Sequence, residues 1–159
     1  MLTTALVLGW VLAGSPPLKD PCTLLTPAEL QSLAPGANIA SGVLTRVGEM
    51  ALACEWKWGA GNGAQSLVVS HGENAKMWPN TELSVLTEGL MVQTKLPNAT
   101  AVPVPGVGEA AIFDSTRPNK AEATAMMKKS NLTITLTGPD ARAKKAQVIS
   151  LLKAAVGRL

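Results

Sequence analysis

The spacing of apolar residues changes several times along the chain, and each change marks an element. Residues 1–14 read Met-Leu-Thr-Thr-Ala-Leu-Val-Leu-Gly-Trp-Val-Leu-Ala-Gly without a charge, too short a run for a membrane-spanning helix and of the length of a signal-peptide core. Cleavage after Ala13 would put Val11 and Ala13 at the small-residue positions, so residues 1–14 are expected to be a removed leader and 15–159 one exported domain. No Lys or Arg precedes the apolar run, which leaves a second reading open, a buried N-terminal strand or helix. Thr26-Pro27-Ala28-Glu29 is a capping box: Thr26 accepts from the Glu29 backbone, Glu29 reaches back, and Pro27 suits the first helical position. The helix it opens stops at Ala34-Pro35-Gly36.

Beyond that stop the period becomes two. Residues 42–47 form one strand, and Leu52, Cys54, Trp56 and Trp58 share a parity opposite Ala53, Glu55 and Lys57, the pattern of a half-buried strand with its aromatics inward. Gly59-Ala60-Gly61-Asn62-Gly63 is a hairpin loop and residues 65–71 return as a strand. A helix is expected over 81–90, then an extended linker over 96–105. Strands follow over 109–114, 122–128 and 132–137; in the last, Leu132, Ile134 and Leu136 alternate with three threonines. Gly138-Pro139-Asp140 opens a final helix in which Ile149, Leu152 and Val156, with Val148, Leu151 and Ala155, make one apolar face. Val47-Gly48-Glu49 recurs as Val107-Gly108-Glu109, at an offset of 60 residues. The whole reads as α+β: a two-layer sandwich, its antiparallel sheet built from two βββα-like halves with helices packed on one face.

Composition narrows the function classes. Only 16% of the 159 residues are charged and 47% are hydrophobic, which excludes disorder, and the 11 Pro and 14 Gly indicate many turns. The net charge is +3, Tyr is absent and Phe occurs once, so a nucleic-acid surface with stacking aromatics is not expected. No membrane span is expected in the mature chain, and the domain reads as a monomer. The only two cysteines, Cys22 and Cys54, make one disulfide in an oxidising compartment, with two buried thiols as the alternative.

The chemistry-bearing motifs are few. Gly106-Val107-Gly108-Glu109-Ala110-Ala111 matches a dinucleotide fingerprint in letters but lacks the preceding strand and following helix that would aim N–H groups at a pyrophosphate; it reads as a tight turn entering a strand. His71 is the only histidine. It shares parity with Leu67 and Val69 and is expected at the rim of the core, with no metal site and no catalytic residue assigned. Trp58, Met77, Trp78 and His71 are the candidate ligand or partner contacts, because Trp supplies stacking area and an N–H donor and Met77-Trp78-Pro79 reads as an exposed apolar spot. No cofactor is implied.

Three segments, Asp20-Pro21-Cys22-Thr23-Leu24-Leu25-Thr26-Pro27-Ala28-Glu29-Leu30, Cys54-Glu55-Trp56 and Pro105-Gly106-Val107-Gly108-Glu109-Ala110-Ala111, resemble the small bacterial exported proteins grouped as domain of unknown function 3558, many of them actinobacterial lipoproteins. The resemblance implies a cell-envelope location, a disulfide from the first helix to the sheet, and no established enzymatic role. The chain departs from that pattern at Ser15, where a lipid-accepting Cys would stand, and in lacking a second cysteine pair. The functional expectation is an exported, non-catalytic binding or scaffold module for an envelope protein or small apolar ligand; the alternative is a hydrolase-like site built from loops near His71.

Overall fold

A computed structural model describes residues 18–159; the expected leader, 1–14, lies outside them. Seven strands, β1 (Val43–Val47), β2 (Ala51–Trp58), β3 (Gln65–Glu73), β4 (Val102–Pro103), β5 (Ala110–Asp114), β6 (Lys120–Met126) and β7 (Ser130–Thr137), form one sheet in the order β1-β2-β3-β7-β6-β5-β4. Every neighbouring pair is antiparallel. The helices are α1 (Pro27–Leu33), α2 (Asn74–Met77), α3 (Leu83–Val92) and α4 (Lys145–Val156), and the chain is α+β.

The main core follows from strand parity. Cys54, Trp56 and Trp58 of β2, Leu67 and Val69 of β3, and Leu132, Ile134 and Leu136 of β7 all bury on one face. On β6 that face is lined by Ala121, Ala123 and Ala125, each fully buried, and these small side chains let α4 approach closely. From above, α4 inserts Val148, Leu151, Leu152 and Ala155, the i, i+3, i+4, i+7 stripe of an amphipathic helix. Leu30 and Leu33 of α1 close the same cluster.

Not all helices share this face. Ile112 of β5 and Met126 of β6 point the other way and, with Leu90 and Ala101, form a second, smaller core under α3. The two-layer expectation therefore holds for α1 and α4, while α3 covers the opposite face at the β5–β6 end. The physical reason lies in the sheet order. Two three-strand meanders, β1–β3 and β4–β6, flank β7, and their inner strands β3 and β6 run in the same direction. A half-turn about the line of β7 relates the meanders and exchanges the faces. The matched segments obey this relation, since Val47-Gly48-Glu49 turns from β1 into β2 and Val107-Gly108-Glu109 turns from β4 into β5. In each unit the helix precedes its three strands, α1 before β1 and α3 before β4.

Cys22 and Cys54 are bonded, with Cα atoms 5.1 Å apart. Cys22 sits in a single 3₁₀ turn, Pro21–Thr23, just ahead of α1, so the staple fixes the entry to the helix rather than the helix itself. Its backbone N–H donates to Asp20 Oδ1 at 2.8 Å. Gly42 lies against this bond: a Cβ there would stand 2.5 Å from Cys54 Sγ and 2.8 Å from Trp56 Nε1, so no side chain is accommodated. The capping box is present in both directions.

Arg158 ties the C-terminal segment to the same corner. Its Nη2 lies 2.7 Å from Glu29 Oε1, and its Nη1 donates to the Leu24 carbonyl at 2.6 Å. The Arg158 bond, assisted by donors from Thr26, holds the Glu29 carboxyl below its usual pKa of 4.5 against the opposing effect of burial. A carboxyl depressed in the folded state stabilises above its unfolded pKa, and that contribution is lost as pH falls through the folded value. Glu29→Gln is therefore expected to lower stability at pH 7 and to match wild type in strongly acidic buffer, as read by urea unfolding at both pH values. A deficit that persisted undiminished in acid would show that the charge is not responsible.

Candidate functional site

The candidate site is built around α3 and the short turn that leads to it. Beyond β3 the chain makes one helical turn, α2, held against β7 by a buried amide pair: Asn131 Nδ2 donates to Asn74 Oδ1 at 3.1 Å and Asn74 Nδ2 donates to the Met127 carbonyl at 2.8 Å. Trp78 ends that turn, and Asn80 takes a left-handed conformation, φ 64°, which Asn tolerates and which redirects the chain into α3. Within α3, Leu83, Leu86 and Leu90 face the sheet. Val85, 57% exposed, lines the edge of the cavity beside α3.

Beneath α3 lies a cavity of about 460 Å³. Trp78, Leu86, Leu90, Ile112 and Met126 wall it with apolar surface, and Glu122, Thr124, Asn131 and Thr133 give it a polar floor. Asp114 and Glu122 face each other across the β5–β6 register at its far end. Burial raises the Asp114 carboxyl, but hydrogen bonds from Thr100 Oγ1 at 2.5 Å and from Thr116 outweigh it, so the net shift is below the ordinary 3.8. Glu122 lies 2.6 Å from Lys120 Nζ and accepts from Thr135 Oγ1 at 2.9 Å. A carboxylate held ionised, as Asp114 is, suits orientation of a polar group and not proton donation.

A second cavity, about 560 Å³, opens at the end of β3 and β7. Leu86 of α3 lines both cavities, so they adjoin at that side chain. Both fall in the roughly 300–1,000 Å³ range of small-molecule sites. His71 lines the second and is only 5% exposed, which corrects the expected rim position: β3 continues two residues past it, and the segment at Lys19 lies over the ring. His71 Nδ1 is 3.0 Å from the Lys19 carbonyl oxygen. A carbonyl only accepts, so Nδ1 carries the proton and in the neutral ring the lone pair sits on Nε2. Among the described residues Nε2 has no hydrogen-bond partner. Glu73 and Ser130, partners across β3 and β7, line the same cavity; Glu73 is bonded to Lys76 at 2.9 Å.

The four expected contact residues thus separate. Met77 and Trp78 lie together on the cavity under α3 and His71 on its neighbour. Trp58, expected as a contact, is instead buried in the main core at 5% exposure because it lies on the inward parity of β2, and among the described residues its indole N–H has no hydrogen-bond partner. Sequence reading missed Asp114, Glu122, Lys128 and Lys129 as neighbours of these cavities. Their only signal was strand parity, which places Glu122 with Thr124 on one face but says nothing of which strand lies alongside. Among the described residues no group of three His, Cys, Asp or Glu side chains could hold a metal ion, and no helix is long and apolar enough to cross a membrane.

No family model matches the chain, and no curated protein or solved structure is significantly similar to it.

Proposed function

We propose that the chain is an exported, non-catalytic binding domain that takes an apolar ligand, or an apolar segment of a cell-envelope partner, between α3 and the sheet. The observation that carries this reading is the cavity under α3, which has an apolar wall including Trp78 and abuts a second cavity. The core there is thin, with only Leu90, Ala101, Ile112 and Met126 buried, so α3 is held by fewer contacts than α4 and can yield to a guest. Export is supported by the disulfide, which persists in oxidising compartments, and by the resemblance of three motifs to domain of unknown function 3558.

Titration with N-phenyl-1-naphthylamine, a neutral apolar fluorophore, tests the reading. Saturable binding is expected, weakened at least tenfold, about 1.4 kcal/mol, by Trp78→Ala, with thermal unfolding monitored to show the fold is kept. No saturable binding by the wild type, or equal binding by the variant, would overturn the site.

A second reading, a hydrolase-like site, draws on His71, Ser130 and Glu73 lining one cavity. Against it, His71 bonds the Lys19 carbonyl and Glu73 bonds Lys76, so the nucleophile-to-base and base-to-carboxylate contacts of such a site are not made. Ester turnover lost alike in His71→Ala and Ser130→Ala would favour it.

A further inference from the structure

We infer that the cavity at His71 is the head end of the ligand site and selects an amphiphile with an anionic head, a carboxylate or a phosphate monoester, on an apolar chain. The inference rests on the binding function proposed above and adds the ligand class. Its first support is charge. Lys128 and Lys129, on the turn between β6 and β7, line this cavity, and among the described residues neither pairs with a carboxylate. Lys19 also lines it, with its Nζ on the Arg158 carbonyl. The one acidic side chain on the wall, Glu73, is neutralised by Lys76. The local field is therefore positive where the cavity meets solvent, and such a field attracts and retains an anion.

The second support is independent of the lysines. His71 lines the cavity with its ring oriented by the Lys19 carbonyl, and among the described residues Nε2 makes no hydrogen bond. Nε2, an acceptor in the neutral ring, is open to the cavity, so a water or another donor meets it there and this end of the cavity is polar. The rest of the wall is mixed: Leu18, Leu83, Leu86 and Leu159 give it apolar surface, and Asn74, Thr81 and Ser130 are polar. Leu86 continues into the cavity under α3, where Trp78, Leu90, Ile112 and Met126 take over. A polar, cationic end followed by an apolar run matches a head joined to a chain.

Calorimetric titration of the full chain with dodecanol, dodecanoate and dodecyl phosphate, each below its aggregation concentration, tests this. At least one anion is expected to bind about tenfold or more tightly than dodecanol, and the ranking of the two identifies the head. The double variant Lys128→Ala/Lys129→Ala, exposed positions whose loss leaves the core intact, is expected to erase that preference while leaving dodecanol affinity unchanged. Raising the salt concentration should reduce the anion preference in the wild type alone. Equal affinity for all three ligands, or a preference untouched by the double variant, overturns the head site while the binding function stands. Failure of all three to bind overturns both.

Discussion

Replacing Cys22 and Cys54 together with alanine is expected to lower the free energy of unfolding by about 3–4 kcal/mol. The bond closes a loop across a sequence separation of 32, and the entropy that this loop regains in the unfolded chain sets the scale. The loop contains α1 and β1, and β1 is exposed along its whole length. Without the staple, the entry to α1 and the edge of the sheet are both free to detach from Cys54. A fall in melting midpoint of roughly 10 °C, read by circular dichroism on wild type and double variant, is the expected result. A shift of less than about 2 °C would mean that burial of this corner, not the covalent link, holds it.

Phe113→Ala is expected to cost about 3–5 kcal/mol, the range for truncating a buried aromatic. Phe113 is the chain's single phenylalanine, 2% exposed on β5, with Lys145 Nζ 5.4 Å above its ring at the start of α4. Its neighbours on the core face of β6 are alanines fully buried in turn, too short to refill the space. Phe113→Leu, which keeps most of the volume, should cost far less. Urea unfolding of both variants checks the pair; an alanine variant no worse than the leucine one would show that the site collapses without penalty.

Local chemistry made much of this fold legible. Thr26 and Glu29 could be read as a cap because the capping box is a contact between residues three apart. The inward face of β2 could be read because parity is a property of one strand, although Leu52, at the end nearest the turn, is only half-buried. Gly108 was legible as a turn residue: it takes φ +59° and a Cβ there would stand 2.5 Å from the Met126 carbonyl oxygen, so the glycine serves the turn into β5 and not a pyrophosphate. What was not legible is what joins residues far apart. Nothing local in Ser130–Thr137 says that this strand lies between β3 and β6. The two-sided placement of the helices follows only once that order is known. The candidate site suffered from the same limit. Trp78 could be singled out by its neighbours in sequence, but the burial of His71 depends on Lys19, 52 residues away, and the pairing of Asp114 with Glu122 depends on register.

The sheet's central strand is also its last. Until residues 130–137 arrive, both meanders end in bare inner edges at β3 and β6, and neither has a neighbour to pair with. The chain therefore cannot close its sheet progressively from the N-terminus as it is made or delivered. Assembly waits for the final strand and for α4 behind it, so a truncated chain fails as a whole instead of losing one layer, and completion is governed by long-range contacts that form slowly. A protein with this order keeps its two meanders apart until one late strand joins them.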